Sequence, residues 1–429
     1  MRTVMKEKKS NVETTTLNQV SEEEKKGWVE VAFIHAGVMI CVPSLLIGGL
    51  LALAMPLGQA LLAGCIGYGL VMLFACFTSI QGSDLGLPSC VVLQSCFGKA
   101  GSKYLISLLF TISLLGWFGV NNAVCGSAFS NLMANSFGIE VPVSVSILIW
   151  GVIMLTTAVY GISAMGKLNT LAVPALLIVC LAGCVMALRT HGTENINTHV
   201  ETTMSLIEGI TLTTGFLTMQ IVTAADITRY QKGRGNTIKA TLWGVLPAGI
   251  LMLVIGIVMA KVAGEYDISQ VLCNVGLPVL GMIVLILAAW TTNTTNAYLA
   301  GINIVNILGL KDDKRAMVTL ISGLIGTILA VVGVMSQFEA FITWLGAAFS
   351  PMGGVMLVDY WILRKANPEK WSPRESFDWL GVTAWAAGFV LNIFVTSGLV
   401  LVQSILLSGI VYYALCKGLR KEEYHGAAL

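Results

Sequence analysis

Long apolar stretches, separated by short charged or glycine- and proline-containing connections, run through almost the whole chain. None of them alternates apolar and polar residues with period two, which excludes a transmembrane β-barrel. A helix needs about 20 apolar residues to cross the hydrocarbon layer. The pattern therefore predicts an all-α polytopic membrane protein with twelve transmembrane helices, in the segments 29–54, 57–81, 104–134, 142–161, 168–188, 205–228, 238–263, 274–308, 316–334, 338–363, 379–396 and 398–416.

Charged residues are too scarce for a soluble protein. Only 11% of the 429 residues are Asp, Glu, Lys or Arg, against about 25% in soluble domains, so much of the surface must face the lipid bilayer. The net charge of +2 comes without interleaved basic and aromatic residues, so nucleic acid is not expected as a partner. The ten cysteines form no CxxC pair and are expected to be buried apolar residues.

The lysines and arginines predict the orientation in the membrane. With twelve crossings and the N-terminus inside, 23 of the 25 basic residues fall on the cytoplasmic side, and only Arg189 and Lys261 fall on the other. Because basic loops resist translocation, we expect a multi-pass protein of the inner (plasma) membrane with both termini in the cytoplasm. The polar residues 1–26 contain no apolar run and are expected to form a disordered cytoplasmic tail. Residues 417–429 are expected to form a second cytoplasmic tail.

Helix breakers interrupt two apolar segments near their centres. Gly37 and Pro43 bracket a stretch of the first segment where the helix can unwind, and carbonyls freed in this way can bind a small cation. A simple proline kink is the alternative. Gly215, after a run of threonines, marks a second candidate break in the sixth segment. His35 is expected to be a hydrogen-bonded structural residue and is left outside the site.

Polar side chains at mid-depth in a membrane often mark a ligand path. Trp117 and Asn121 lie one helical turn apart, so an indole ring and a side-chain amide share one face of the helix. This pair suits a flat heterocycle, which can stack on the ring and hydrogen-bond to the amide. Gln220 is the only amide in the middle of the sixth segment. The alternative is a packed tryptophan with an asparagine bonded to a neighbouring helix.

The densest polar patch lies in the eighth segment, where six consecutive residues from Thr291 to Asn296 are threonine or asparagine. Hydroxyls and main-chain oxygens suit an alkali cation, and the amides suit a polar organic substrate. Hydrogen bonding between helices is the alternative. No carboxylate lies at mid-membrane: those nearest the spans, all within about two turns of an end, are Glu30, Glu208, Asp226, Glu339 and Asp359. Sodium held by neutral oxygens therefore fits better than a buried proton relay.

Several short motifs carry a resemblance to a known family. They are GWFG at 116–119, GISA at 161–164, AVP at 172–174, ADITRY at 225–230, WTTN at 290–293, NILGL at 306–310 and PMGGVMLVDY at 351–360. In these stretches the chain resembles nucleobase cation symporter family 1. The resemblance implies a leucine-transporter-type fold with alternating access. It implies two inverted five-helix repeats, at 27–188 and 205–364, and two peripheral helices at 377–416.

The resemblance also implies where the ligands bind. The family's sodium ligands fall on backbone carbonyls of the first and eighth segments and on two hydroxyls of the eighth, at Gly37, Ile40, Ala288, Thr291 and Thr292. The family's stacking tryptophan falls on Trp117, and its two substrate-contacting residues in the sixth segment fall on Phe216 and Leu217. With the mid-depth amides added, the expected substrate contacts are Trp117, Asn121, Phe216, Leu217, Gln220, Asn293 and Asn296.

The chain departs from the family members that carry cytosine at several of these positions. They have a glutamine where this chain has Leu114, a Ser-Phe pair where it has Phe216 and Leu217, and a small residue where it has Gln220. Gln220 is interpreted as compensating for the missing glutamine. The expected function is sodium-coupled import of a nucleobase, and cytosine is the favoured candidate. Hydroxymethylpyrimidine, a purine, uracil, hydantoin or allantoin, or coupling to protons, are the alternatives.

Other classes of function fit less well. An enzyme needs a nucleophile with its base or a metal cluster, and the four histidines, three of them outside the spans, give little to build with. A channel needs a continuous polar stripe, whereas the polar positions cluster at one depth. The protein is therefore expected to be a monomeric transporter with no cofactor beyond its coupling sodium ion.

Overall fold

The computed structural model describes residues 18–160, 162–197, 202–311, 314–395 and 397–420. The regular secondary structure in these ranges is helical, and sheet-like pairing is confined to one isolated bridge, between Lys26 and Gln231. The all-α prediction is confirmed for this part of the chain. Most of the two expected tails, residues 1–17 and 421–429, lies outside the described residues.

The described residues form seventeen α-helices. Two π-helical turns, Ser102–Ile106 and Val358–Leu363, join α5 to α6 and extend α15. The helices in chain order are α1 (Trp28–Met39), α2 (Val42–Ala54), α3 (Leu57–Leu85), α4 (Ser89–Val92), α5 (Gln94–Gly101), α6 (Ser107–Phe137), α7 (Val143–Tyr160), α8 (Ile162–His191), α9 (Leu206–Leu217), α10 (Met219–Thr228), α11 (Arg234–Ala263), α12 (Ile268–Asn274), α13 (Pro278–Leu308), α14 (Arg315–Val332), α15 (Phe338–Leu357), α16 (Trp379–Phe394) and α17 (Val400–Leu419).

Every one of the twelve predicted segments overlaps a helix. Among the described residues, nine helices are long and apolar enough to cross a membrane, or ten if the bent pair α1 and α2 is one span. Two further apolar stretches, Val143–Val159 and Trp379–Phe394, are shorter than 18 residues. The described residues therefore form a multi-pass helical protein, with nine or ten helices that are long enough to cross a membrane.

The first membrane helix is broken at the predicted place. α1 ends at Met39, α2 begins at Val42, and their axes differ by 56°. At the break the N–H of Cys41 donates to Met39 O (3.0 Å), instead of to Gly37 O as in a continuous helix. Pro43 lies in the first turn of α2, where its missing N–H has no partner to lose.

The second expected break, at Gly215, is wrong in position and in degree. α9 and α10 meet three residues later, at Thr218, whose backbone angles stay helical (φ −55°, ψ −36°). The two helices count as one span, Leu206–Thr228. Gly215 has another role, because a Cβ there would lie 2.8 Å from Ile342 O of α15. The glycine permits close packing between α9 and α15.

α11 packs along both halves of the broken helix through glycines. A Cβ on Gly48 of α2 would overlap Leu253 O, and one on Gly256 of α11 would overlap Leu45 O. Farther along α11, a Cβ on Gly244 would lie 2.5 Å from the carbonyl oxygen of Ala32 in α1. Such backbone contact between helices requires small residues, so α11 fixes the position of the unwound residues.

Ion pairs and polar contacts mark the two ends of the helix bundle. At one end the Asp84 carboxylate, at the end of α3, accepts hydrogen bonds from Arg234 Nη2 (2.7 Å) and Tyr360 Oη (2.6 Å). We call this the basic end. At the opposite end Lys261 Nζ donates to Met55 O (2.9 Å). Lys261 thus lies across the bundle from Arg234, as the predicted charge distribution requires.

A buried carboxylate joins more elements to the basic end. Asp359, fully buried in the π-helix after α15, accepts hydrogen bonds from Ser95 Oγ (2.6 Å), Arg364 Nε (2.9 Å) and Tyr412 Oη (3.1 Å). Neutralisation by an arginine and hydroxyl donors is what a buried carboxylate needs. The contacts tie α5 and α17 to α15 at this end.

Replacing Gly256 by alanine is expected to lower thermal stability, because the new methyl group meets the backbone of α2. Overpacking of this kind costs about 1–3 kcal/mol. The measurement is the melting temperature of the detergent-solubilised protein, followed by size-exclusion fluorescence. Gly69→Ala is the matched control, since nothing lies within 4 Å of a Cβ at Gly69. An equal melting temperature for the two variants would contradict the proposed close contact.

Candidate functional site

Two threonine hydroxyls and a carbonyl form an oxygen cluster on α13. Thr291 Oγ1 and Thr292 Oγ1 both donate to Ala288 O, at 2.8 and 3.0 Å. Since each hydroxyl gives away its only hydrogen, its lone pairs remain available to a cation. The structure thus brings together three of the five residues expected at a sodium site, through contacts within one helix.

The other two expected residues, Gly37 and Ile40, lie at the break between α1 and α2. Cys41 N–H and Ser44 Oγ both donate to Met39 O (3.0 and 2.9 Å), and the carbonyls of Gly37 and Ile40 take no part in these bonds. α2 also packs against α13. The unwound residues and the threonine pair therefore lie on neighbouring elements.

Trp117 lies in a ring of phenylalanines. Its indole meets Phe216 of α9 (centroids 5.8 Å apart, planes at 75°), Phe338 (6.2 Å, 72°) and Phe341 (5.3 Å, 77°) of α15, all edge to face. Edge-to-face geometry is a favoured arrangement of aromatic pairs. We call these four residues the aromatic box. Half-buried, Trp117 and Phe216 come together as predicted from the sequence.

Phe338 and Phe341 were not among the residues expected from the sequence. Both stand in FEAFITW at the start of the tenth segment, three residues apart and so on one face of a helix. This spacing could have indicated a shared contact surface, but phenylalanines on one helix face can equally well face lipid or the hydrophobic core. Their role is visible only once α15 packs against α6, where a Cβ on Gly116 would overlap the Phe341 ring.

Most of the expected amide contacts are already engaged with the protein. Asn121 Nδ2 donates to Trp117 O in its own helix (2.9 Å). Asn293 Nδ2 donates to Phe118 O of α6 (2.9 Å), and Asn296 Nδ2 donates to Asn293 Oδ1 (3.4 Å). Asn293 and Asn296 are buried. For these two, hydrogen bonding between and along helices is the role that the geometry favours.

Gln220 differs from these asparagines. It is half-buried, lies four residues after Phe216, and its amide makes no hydrogen bond within the described part of the chain. Leu217, in contrast, is 1% exposed and belongs to the main hydrophobic core. Of the residues expected from the sixth segment, Phe216 and Gln220 remain available to a ligand.

The expectation for His35 is wrong. His35 makes no hydrogen bond through either ring nitrogen within the described residues, although it is buried. Its Cβ packs where a side chain on Gly244 would lie, so packing between α1 and α11 decides its position. Trp290, the tryptophan of the WTTN motif, donates from Nε1 to Thr157 Oγ1 of α7 (3.1 Å).

A cavity of about 530 Å³ lies at the opposite end of the bundle, where α15 begins. Leu46, Tyr266 and Met335 line both this cavity and a second one of about 340 Å³. Phe338 lines the larger cavity and also contacts Trp117. This phenylalanine therefore belongs both to the cavity wall and to the aromatic box.

Comparison with known proteins identifies the family. A family profile described as permease for cytosine/purines, uracil, thiamine, allantoin matches residues 19–415. The chain belongs to this family. It is 28% identical to the cytosine permease of Escherichia coli (strain K12) over 407 residues, 92% of each chain. It is 23% identical to the hydantoin permease of Microbacterium maritypicum over 370 residues, 80% of this chain and 74% of that one.

Solved structures share the fold of this permease. The inward-facing conformation of Mhp1 superposes with a TM-score of 0.82 at 19% identity, covering 97% of each chain. The closed conformation of Mhp1 with bromovinylhydantoin bound, a nucleobase-cation-symport-1 family transporter, gives 0.78 and covers 96% of each. MhsT in complex with L-phenylalanine gives 0.57 at 12% identity. The curated relatives are permeases, so the expectation of a transporter, not an enzyme, is confirmed.

Asn293→Ala is expected to destabilise the permease by about 1 kcal/mol, the scale of one hydrogen bond between membrane helices. Its amide joins α13 to α6, and the melting temperature of the purified protein measures the loss. Asn303→Ala is the matched control, because Asn303 on the same helix donates only to Leu299 O, one turn back. A variant at Asn293 as stable as the control would remove the assigned structural role.

Proposed function

We propose that this permease is a sodium-coupled symporter that imports a nucleobase or a related flat heterocycle by alternating access, with cytosine as the first candidate. The aromatic box around the half-buried Trp117 is the observation that carries the proposal. A flat ring gains both apolar burial and stacking from such a site. Similarity to the cytosine permease over 92% of the chain supports the choice of base.

The free amide of Gln220 supports recognition of a ring that offers both a donor and an acceptor. A glutamine side chain presents one of each, which matches the amidine edge of cytosine and equally the imide edge of a hydantoin. Leu114, buried on α6, supplies neither. Recognition therefore depends more on stacking than on hydrogen bonds. For this reason hydroxymethylpyrimidine, a purine, uracil and allantoin remain alternative substrates.

A substituted hydantoin is the second candidate substrate. The three phenylalanines around Trp117 offer apolar edges that suit a ring with an apolar substituent. Hydantoin and allantoin permeases are among the relatives. Direct competition between cytosine and a substituted hydantoin distinguishes the two candidates.

We assign the coupling sodium ion to five neutral oxygens. They are the carbonyls of Gly37, Ile40 and Ala288 and the hydroxyls of Thr291 and Thr292. Oxygen ligands without a formal charge suit a monovalent cation, whose desolvation they offset without binding it too tightly for release. The unwound carbonyls and the donation of both hydroxyl hydrogens to Ala288 O support this assignment.

The proposed architecture has twelve crossings, with α7 and α16 as the two short ones. Two inverted five-helix repeats, 27–188 and 205–364, are followed by the peripheral helices α16 and α17. The basic end faces the cytoplasm, as lysine- and arginine-rich ends do, and both termini lie there. The protein acts as a monomer in the inner membrane.

Uptake of radiolabelled cytosine into proteoliposomes tests the function. An inward sodium gradient is expected to drive accumulation, while an equal potassium gradient does not. A proton gradient without sodium is the third arm, and a purine, uracil, allantoin and a substituted hydantoin serve as competitors. Equal uptake with sodium and potassium would refute sodium coupling, and no saturable uptake of any of these rings would refute the substrate class.

Thr292→Ala is expected to raise the sodium concentration for half-maximal uptake about tenfold, which is typical for the loss of one ligand to a charged group. Thr295→Ala is the matched control, since Thr295 lies one turn away and bonds to Thr291 O of its own helix. Thermal stabilisation by sodium provides a second readout without substrate. The same sodium dependence in both variants would move the ion site elsewhere.

Trp117→Ala is expected to weaken substrate binding at least tenfold, because it removes the stacking surface. Gln220→Leu keeps the size of the side chain and removes its hydrogen bonds, so its effect measures the amide alone. Isothermal titration with the transported ring measures both affinities. Trp290→Phe, at a tryptophan bonded to α7, serves as control, and wild-type affinity in Trp117→Ala would contradict the assigned site.

A further inference from the structure

Three aromatic rings stack on one another at the basic end. Phe377 lies between Tyr104 (centroids 6.2 Å apart, planes at 15°) and Trp379 (5.3 Å, 18°). The outer rings are exposed, Tyr104 to 47% and Trp379 to 66%. We call these three residues the aromatic ladder. It stands where α6 and α16 begin, at the boundary between the apolar spans and the basic end.

The backbone holds the ladder in place. The segment before Trp379 pairs with the segment before α6, through Lys99 N–H to Arg374 O (2.7 Å) and Asp378 N–H to Phe97 O (2.9 Å). At Gly98 (φ +75°) a Cβ would overlap Ser376 O, so glycine is required for this approach. The exposed rings thus stand on a fixed platform.

Positive charge exceeds negative charge around the ladder. Arg374 and Arg420 share one carboxylate, Asp378, at 2.9 and 2.7 Å, and the exposed Glu375 pairs with Lys99 (2.6 Å). Lys103 Nζ lies 5.3 Å from the centroid of the Tyr104 ring and forms no ion pair within the described residues. Lys417, in the last turn of α17, lies close to the ring of its own helix neighbour Tyr413. The patch therefore offers cations beside exposed aromatic rings.

We propose that the aromatic ladder and its flanking cations bind an anionic phospholipid of the cytoplasmic leaflet. The headgroup phosphate lies against Lys103, and the lipid's glycerol and upper acyl region lie along Tyr104 and Trp379. Tyrosine and tryptophan prefer the membrane interface, and anionic lipids attract basic residues there. Exposed rings beside the charges select a lipid over a soluble anion.

This binding site is separate from the aromatic box and from the oxygen cluster. It involves α6, α16 and α17 at their basic ends, whereas Trp117 lies ten residues into α6. The proposal therefore does not depend on the identity of the transported ring or on sodium coupling. Its test needs no transport assay.

Native mass spectrometry of the full-length protein in detergent tests the proposal. Phosphatidylglycerol and phosphatidylcholine with the same acyl chains are added in turn, and glycerol phosphate is the soluble competitor. Wild-type protein is expected to retain one phosphatidylglycerol in preference to phosphatidylcholine, and excess glycerol phosphate does not displace it. Lys103→Ala is expected to weaken phosphatidylglycerol binding about fivefold, and Trp379→Ala weakens both lipids.

Two variants at other exposed positions serve as controls. Lys232→Ala removes a lysine that lies 3.6 Å from Glu22, and Trp243→Ala removes an exposed tryptophan of α11. Both are expected to bind lipid as the wild type does. Equal retention of the two lipids by wild-type protein, displacement by glycerol phosphate, or an unchanged preference in Lys103→Ala would each overturn the proposal. Melting temperatures confirm that every variant is folded.

Discussion

The hydrocarbon core supplies no water to a backbone amide or carbonyl, and the architecture around the site depends on this constraint. A helix can be interrupted there only where protein or a ligand satisfies the groups set free. At the break between α1 and α2, Met39 O accepts two hydrogen bonds, and glycines let α11 pack against both halves. α11 thus supports the break from one side, and the carbonyls of Gly37 and Ile40 accept no hydrogen bond from the residues that the structure describes.

Features set by local sequence could be predicted. Uninterrupted apolar runs specify helices because no other segment satisfies its own backbone in lipid. Pro43 lacks the N–H that a helix interior uses, so a helix break just before it could be expected. The oxygen cluster of Ala288, Thr291 and Thr292 is equally local, since all its contacts lie within one turn of α13. Gly215 could not be interpreted from local sequence alone. A glycine can either weaken a helix or allow another helix to pack closely, and only the position of α15 decides between the two.

Side-chain direction could not be predicted for the polar residues of α6 and α13. Asn121, Asn293 and Asn296 all lie within the long helices α6 and α13, yet their amides bond to the protein. Spacing along a helix fixes which residues share a face, but the rotation of that face towards a cavity or a neighbour comes from packing. Phe338 and Phe341 were missed for the same reason, because they meet Trp117 only after α15 has docked on α6.

The candidate substrate site contains more aromatic side chains than unbonded amides, and this composition affects which ligands it accepts. A site that hydrogen-bonds every polar edge of its ligand rejects analogues strongly, because a missing partner leaves a buried group unpaired. Here four aromatic side chains surround the candidate position, and Gln220 is the amide whose hydrogen bonds remain free within the described residues. Stacking depends on flatness and area more than on the pattern of donors. Under the proposed function, Gln220 therefore sets the preference among flat rings, and the aromatic box admits them as a class.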